Sequence, residues 1–371
     1  GSSRTLVLTQ ASDYFTFVDV PSEPVPSLLR GFSAPVMLDA GLSDAQWMLL
    51  LQHDEDPFNR WEAGQQLAMT RILGAVASTG PFALDAAYVD ALRGVLREPA
   101  TDPAYKELLL SLPAEAFIAE QLREVDPQRI HAVRQAFSSA LAHALHDDWV
   151  RAWHDHATPG GYRPDPVSSG RRAMRNFALS MLCDAPLDRD RIHWQGVAMG
   201  QVRNAGNMTD RYAALAALVG CDSGLKSVAL EKFHTLFRDE ALVIDKWFSL
   251  QAMAPARYGD VLARVRELTQ HPDFSLHNPN RARSVVMAFC TGNPAAFHRT
   301  DGAGYAFWED MVVRIDAINP QLAARVARAL DRWKHLALPY RDAARAALAR
   351  VAAREGLSSD TREIVQRALE S

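Results

Sequence analysis

The chain has 371 residues, enough for two or three domains, and its 48% hydrophobic and 23% charged residues are ordinary for a globular protein. A formal net charge of -4 gives no general case for nucleic-acid binding, and no apolar run approaches the length of a membrane span. Cys183, Cys221 and Cys290 are far apart and odd in number, which argues against a disulfide framework and fits a reducing cytoplasm.

At the start, Gly1-Ser2-Ser3 lacks an initiator Met and looks like a remnant of cloning or processing; no signal peptide is read there. Residues 4–40 differ from all that follows. Thr5–Thr9 and Tyr14–Val20 are rich in β-branched and aromatic residues and predict strands. Pro21, Pro24 and Pro26 mark a loop, and Phe32–Leu38 is a candidate third strand, with Pro35 suggesting an edge. So few strands make no stable sheet alone. The expectation is a C-terminal piece of a longer protein that begins inside a β domain.

Residues 41–371 read as helical throughout. Ser43-Asp44 caps a helix through Trp47 and Leu50, and Asp56-Pro57 starts a long one through Trp61, Leu67 and Ile72. Asp102-Pro103 and Asp126-Pro127 repeat that device, and 127–157 holds one or two helices. Further helices are predicted near 168–183, 207–219, 223–237, 241–253, 258–269, 278–290, 305–317, 319–335, 337–355 and 359–370. Many short helices with brief connections predict a mostly α fold, an irregular α-solenoid of stacked helix pairs without a strict repeat.

Familiar catalytic signatures are absent: there is no HExxH, no GxSxG and no phosphate-binding glycine loop in the proper context. His143, His146, His154 and His156 cluster with acidic neighbours, but their spacing does not put all four on one helix face, and a solvated face is the favoured reading. Arg171, Arg172 and Arg175 predict a solvated or ion-paired basic face. In Asp245-Lys246-Trp247-Phe248 the aromatic pair is expected in the core and the charged pair outside, and Asn207-Met208-Thr209-Asp210 reads as a helix start.

Three Asn-Pro pairs remain, Asn278-Pro279, Asn293-Pro294 and Asn319-Pro320, each a helix start. Arg281, Arg283 and Arg325 follow within two turns, where the helix dipole is positive and cations are disfavoured. Cations gathered there point to an anion site, and a carboxylate matches the guanidinium fork. Gln321 and Arg325, four apart, share a helix face; Arg281 and Arg283 point to different sides, one structural and the other available to a ligand.

At these residues the chain resembles the bacterial aminopeptidase N family of zinc metallopeptidases. The likeness is carried by Ser27-Leu28-Leu29-Arg30, Phe32–Val36, Asn207–Asp210, Asp245–Phe248 with Gln251-Ala252, Asn278–Arg281, Asn293–His298, Asp301–Tyr305 and Asn319–Gln321. It covers only the C-terminal part of such an enzyme. It implies the tail of a small β-sandwich domain followed by a helical bowl that caps the active-site cavity, limits peptide entry and contacts the peptide beyond the scissile bond through Arg283, Gln321 and Arg325. It also implies that zinc, the catalytic Glu and the amine-binding motif lie upstream, so that this chain holds no cofactor and no catalytic residue and is inactive alone. The implied partners are the upstream catalytic domain and peptide substrates, with neither nucleic acid nor membrane. A freestanding α-solenoid scaffold is the alternative; the unpartnered strands argue against it, because such a scaffold needs a polar terminal cap.

Overall fold

The computed structural model describes residues 3–36, 38–80, 82–185 and 187–370. α1 (Asp44–His53) opens on Ser43, which accepts the Gln46 N–H while the Gln46 side chain accepts the Ser43 N–H. α2 (Pro57–Ala77), α3 (Ala86–Arg97) and α4 (Pro103–Leu110) open on Asp56, Asp85 and Asp102, each carboxylate accepting first-turn N–H groups. The short α5 (Glu115–Glu120) leads to α6 (Pro127–Ala144), capped by Asp126, and α7 (His146–Asp155) follows it after Leu145. Residues 127–157 are thus two helices.

α8 (Pro166–Leu182), α9 (Asp188–Asn204), α10 (Met208–Gly220), α11 (Lys226–Phe237), α12 (Ala241–Ala252) and α13 (Val261–Thr269) continue the array. α14 (Pro279–Ala282) then runs through a wider π-type stretch, Arg283–Met287, into α15 (Ala288–Gly292). α16 (Pro294–Phe297), α17 (Ala303–Asp316), α18 (Pro320–Ala327), α19 (Tyr340–Ala352) and α20 (Ser359–Glu370) complete the chain. The helix expected over 319–335 stops at Ala327 and gives way to two short 3-10 turns.

Neighbours in sequence lie against each other, as in α1/α2, α7/α8, α9/α10 and α17/α18, and next neighbours such as α8/α10 and α18/α20 stack on them. One continuous apolar core follows from Leu50 to Ala368. The fold is an irregular solenoid of helix pairs that curves into a bowl. Its two arms clasp each other: Val125 N–H donates to the His335 carbonyl (2.7 Å), Ala337 N–H donates back to Val125 (2.8 Å), and Gln128 donates to the His298 carbonyl (3.1 Å).

Two local expectations need correction. Among the described residues no strand forms over Thr5–Thr9, Tyr14–Val20 or Phe32–Val36, and Met37 lies outside the described residues. Arg30–Phe32 instead makes a 3-10 turn with Leu29, Gly31 and Phe32 at positive φ. The reason is non-local: β-propensity yields a strand only beside a partner. The segment is tied instead through Arg30 to Asp54 (3.0 Å), Gly31 N–H to Asp56 (3.0 Å), Asn59 to Ser27 (2.9 Å) and Phe32 against Phe58. The second correction concerns Arg171, Arg172 and Arg175, which make no ion pair among the described residues, Arg172 being buried and the other two half-buried. Arg172 is buried, donates to the Arg163 carbonyl (2.8 Å) and covers the Tyr162 ring; Arg175 stacks on Trp153; Arg171 donates to the Asp155 carbonyl (2.7 Å). Carbonyls and aromatic faces take the place of carboxylates.

Candidate functional site

Each Asn-Pro pair does start a helix. Asn278 accepts the N–H groups of Asn280 (3.0 Å) and Arg281 (3.2 Å), Asn293 that of Ala296 (3.3 Å), and Asn319 that of Leu322 (3.0 Å). Asn207 likewise accepts the Asp210 N–H (2.9 Å).

Arg281 points inward. Its Nε donates to Asp245 (2.6 Å), its two terminal nitrogens to the carbonyls of Asp273 and Ala241, and its guanidinium covers the Phe248 ring. Trp247 and Phe248 are buried as expected, and Lys246 is exposed. Asp245, expected outside, is mostly buried because Arg281 reaches across from the next layer to neutralise it. That pair pins the start of α14 to α12.

Arg283 points outward. Its side chain is exposed and donates to the Asn280 amide oxygen (3.0 Å), a neutral partner that leaves the guanidinium charge uncompensated. It lines an open cavity of about 640 Å³ with Tyr212, Leu242, Lys246, Asn280 and Ser284. Lys246 thus brings a second cation, and Asp245, also on the wall, is already paired with Arg281. The cavity is left with excess positive charge and the Asn280 amide, the Tyr212 and Ser284 hydroxyls already donating to the Lys246 and Arg281 carbonyls. Such a surface attracts a carboxylate and repels a metal ion.

Gln321 and Arg325 both stand on the exposed face of α18, whose other face buries Leu322, Ala323 and Val326. Among the described residues neither side chain has a protein partner, and no described cavity contains them together with Arg283. The structure therefore brings Arg283 to Lys246 and leaves Gln321 and Arg325 as a separate pair. Sequence spacing missed Lys246, which sits one turn from the Leu242 and Ser249 positions of the same wall; the i, i+3, i+4, i+7 pattern of 242, 245, 246 and 249 was its available signal.

The remaining motif residues are structural. His298 is buried, with Nδ1 2.9 Å from the Tyr305 hydroxyl, and burial holds its pKa down to about 4. Gly302 adopts φ 70°, and a Cβ on Gly304 would overlap the Phe297 carbonyl. The cluster of His143, His146, His154 and His156 does not converge: His143 lies by the Asp184 carbonyl, His146 by Asp147 and His156 by the Ala152 carbonyl.

Curved helix pairs with a cation-bearing wall define an armadillo-type domain. The chain belongs to the family described as a domain of unknown function with ARM repeats, DUF3458_C, which matches residues 44–370; residues 1–41 match a companion domain of unknown function, DUF3458, with an Ig-like fold. Over 99% of its length the chain is similar to aminopeptidase N of Caulobacter vibrioides (39% identity) and of Escherichia coli (37% identity), matching their C-terminal portion. It spans 42% of the length of each. Its fold is similar to that of the crystal structure of Legionella pneumophila aminopeptidase A in complex with aspartic acid, with a TM-score of 0.85 and 27% identity over 96% of this chain and 42% of that one.

Proposed function

We infer that this chain is the C-terminal part of a zinc aminopeptidase N that removes N-terminal residues from peptides in the cytoplasm. Residues 4–40 are the tail of its β-sandwich domain, and 41–371 form a helical bowl that caps the active-site cavity of an upstream catalytic domain. The bowl limits entry and holds the peptide beyond the scissile bond through Arg283, Gln321 and Arg325, with Lys246 as a fourth contact. The observation that carries this reading is the pair of guanidinium groups without an ion pair among the described residues, Arg283 one turn beyond the Asn278 cap and Arg325 on the exposed face of the last turn of α18.

A peptide's C-terminal carboxylate supplies the charge both groups lack, and a bidentate contact fixes its orientation. The role is positioning and enclosure, which raises the effective concentration of the scissile bond at a distant reacting centre. Zinc belongs to the catalytic domain, where it polarises the scissile carbonyl and activates water. No HExxH is present in this chain, and none of its residues is assigned a step of hydrolysis.

Arg325→Ala, made in the polypeptide that includes the catalytic domain, tests this directly. KM for tri- and tetrapeptides is expected to rise well above that of the parent, with KM for single-residue amide substrates unchanged. An equal change for both substrate classes refutes the carboxylate contact. The 371-residue chain alone, assayed with zinc on an aminoacyl chromogenic substrate, is expected to show no hydrolysis that scales with its purity.

A further inference from the structure

The wall that carries Arg283 has a second side. On α12, Leu242, Asp245, Lys246 and Ser249 face the cationic cavity, whereas Trp247 and Gln251 line another cavity of about 550 Å³. His234 of α11 and His271, in the turn after α13, line that second cavity. With Asp273 they form the one group of three among the described residues whose donor atoms all lie within 4.8 Å of each other.

We propose that His234, His271 and Asp273 form a binding site for a borderline divalent transition cation of the Zn²⁺ or Co²⁺ kind, which staples α11 to the turn that leads into α14.

Four observations carry the site. Asp273 Oδ2 lies 2.6 Å from His234 Nε2 and 3.7 Å from His271 Nδ1. Donors on a tetrahedral zinc stand about 3.3 Å apart, so these two separations need shifts of under an ångström, and all three donor atoms already lie within 4.8 Å of one another. The Asp273 backbone N–H donates to His271 Nδ1 (3.1 Å), so that nitrogen is the unprotonated one of its ring, and its lone pair serves a metal once the amide turns away. Both rings are fixed by packing: Trp247 contacts His234 and His271 at centroid distances of 4.9 and 5.3 Å, and its own indole N–H is held by the Leu230 carbonyl (2.9 Å). The neighbouring cations are restrained, because Arg264 is drawn onto Gln251 (2.7 Å) and Glu267 (2.8 Å) and Arg281 onto Asp245 (2.6 Å).

Two imidazoles and one carboxylate are the ligand types that zinc and cobalt accept, and three protein ligands leave a fourth position for water. Binding replaces the His234–Asp273 hydrogen bond by two metal–ligand bonds; the bridging proton leaves to solvent from an imidazolium and passes to Nδ1 in a neutral ring. It also replaces the neutral hydrogen bond on His271 Nδ1. The link to the wall is direct, since the Asp273 carbonyl accepts a hydrogen bond from Arg281. A cation held here fixes the residue that anchors the start of α14.

The test titrates metal-free protein with CoCl₂ and ZnCl₂ and follows heat, Co²⁺ absorption and thermal midpoint. One equivalent is expected to bind saturably, with intense tetrahedral Co²⁺ bands and a raised midpoint. His234→Gln and Asp273→Asn are each expected to weaken binding about tenfold or more, with the helical circular-dichroism spectrum retained. Absence of saturable binding overturns the site, as does binding of equal strength in both variants, which would place the metal at other histidines. Should a variant not fold, crystals of the unaltered chain soaked in ZnCl₂ decide the matter. An anomalous peak between His234 and His271 supports the site, and its absence from that position refutes it.

Discussion

The segments Asn278–Arg283 and Asn319–Arg325 begin alike and part company after the first turn. Both open with Asn as cap and Pro in the first helical position. The first sends Arg281 inward to a carboxylate, two carbonyls and an aromatic ring before turning Arg283 outward. The second buries only apolar residues and leaves Gln321 and Arg325 bare. A shared helix-start chemistry therefore serves two ends. One start is locked into the next layer of the bowl, and the other presents a cation on a face already held by its own core. Partnered residues should govern stability, and unpartnered ones should govern ligand contact.

The largest expected effect falls on the partnered side. Arg281→Ala leaves Asp245 mostly buried without its ion pair, and breaking a buried pair in this way costs about 3–5 kcal/mol. Urea denaturation of the 371-residue chain should show that loss, with Arg281→Lys recovering only part of it because the ammonium lacks the planar fork. A loss below about 0.5 kcal/mol, the range of ordinary surface substitutions, would erase the distinction between the two segments.

His298 is the next partnered residue, and pH reads it. Its folded pKa of about 4 lies below the unfolded value of about 6.5, so between those limits the unfolded chain binds a proton that the folded chain does not. The stability tied to neutral His298 is therefore full above pH 6.5 and lost as pH falls toward 4, by about 3 kcal/mol for a shift of this size. Compared with wild type, His298→Gln should start lower at pH 7 and lose less between pH 7 and 4.5. Parallel pH curves for the two proteins would remove His298 from the buried framework.

What could be read in the sequence follows the same division. Asn-Pro and Asp-Pro starts were legible because capping is settled within four residues. The helical array was legible because its periodicity is local as well. α9 escaped notice: it begins after Leu187 with no side-chain cap and carries Gly196 and Gly200, both breakers by propensity. α3 was also missed, although Asp85 caps it. The strand readings failed because pairing is non-local. Asp245 was misplaced for the same reason, since its partner lies 36 positions away. His234 and Asp273, 39 apart, gave no pattern at all, whereas the closely spaced histidines at 143–156 gave one that the fold scatters.

The smallest expected effect on stability falls on the unpartnered side, and it is the one that makes the comparison sharp. Arg325 has no protein partner among the described residues, and Arg283 has only the Asn280 amide. Replacing either by Ala removes an exposed cation, Arg283 from beyond the first turn of its helix and Arg325 from the last turn of α18. Neither side chain is buried or ion-paired among the described residues, and a net change within about 0.5 kcal/mol is expected for each. Added NaCl should leave the Arg325 difference nearly unchanged, because Arg325 has no ion pair among the described residues for salt to screen. If Arg325→Ala instead costs as much as Arg281→Ala in urea, Arg325 has a partner in solution. It would then belong with the framework residues, and the peptide-contact reading of α18 would fail with it. Stability left intact beside a raised peptide KM is the combination that places Arg325 on the ligand side of the wall.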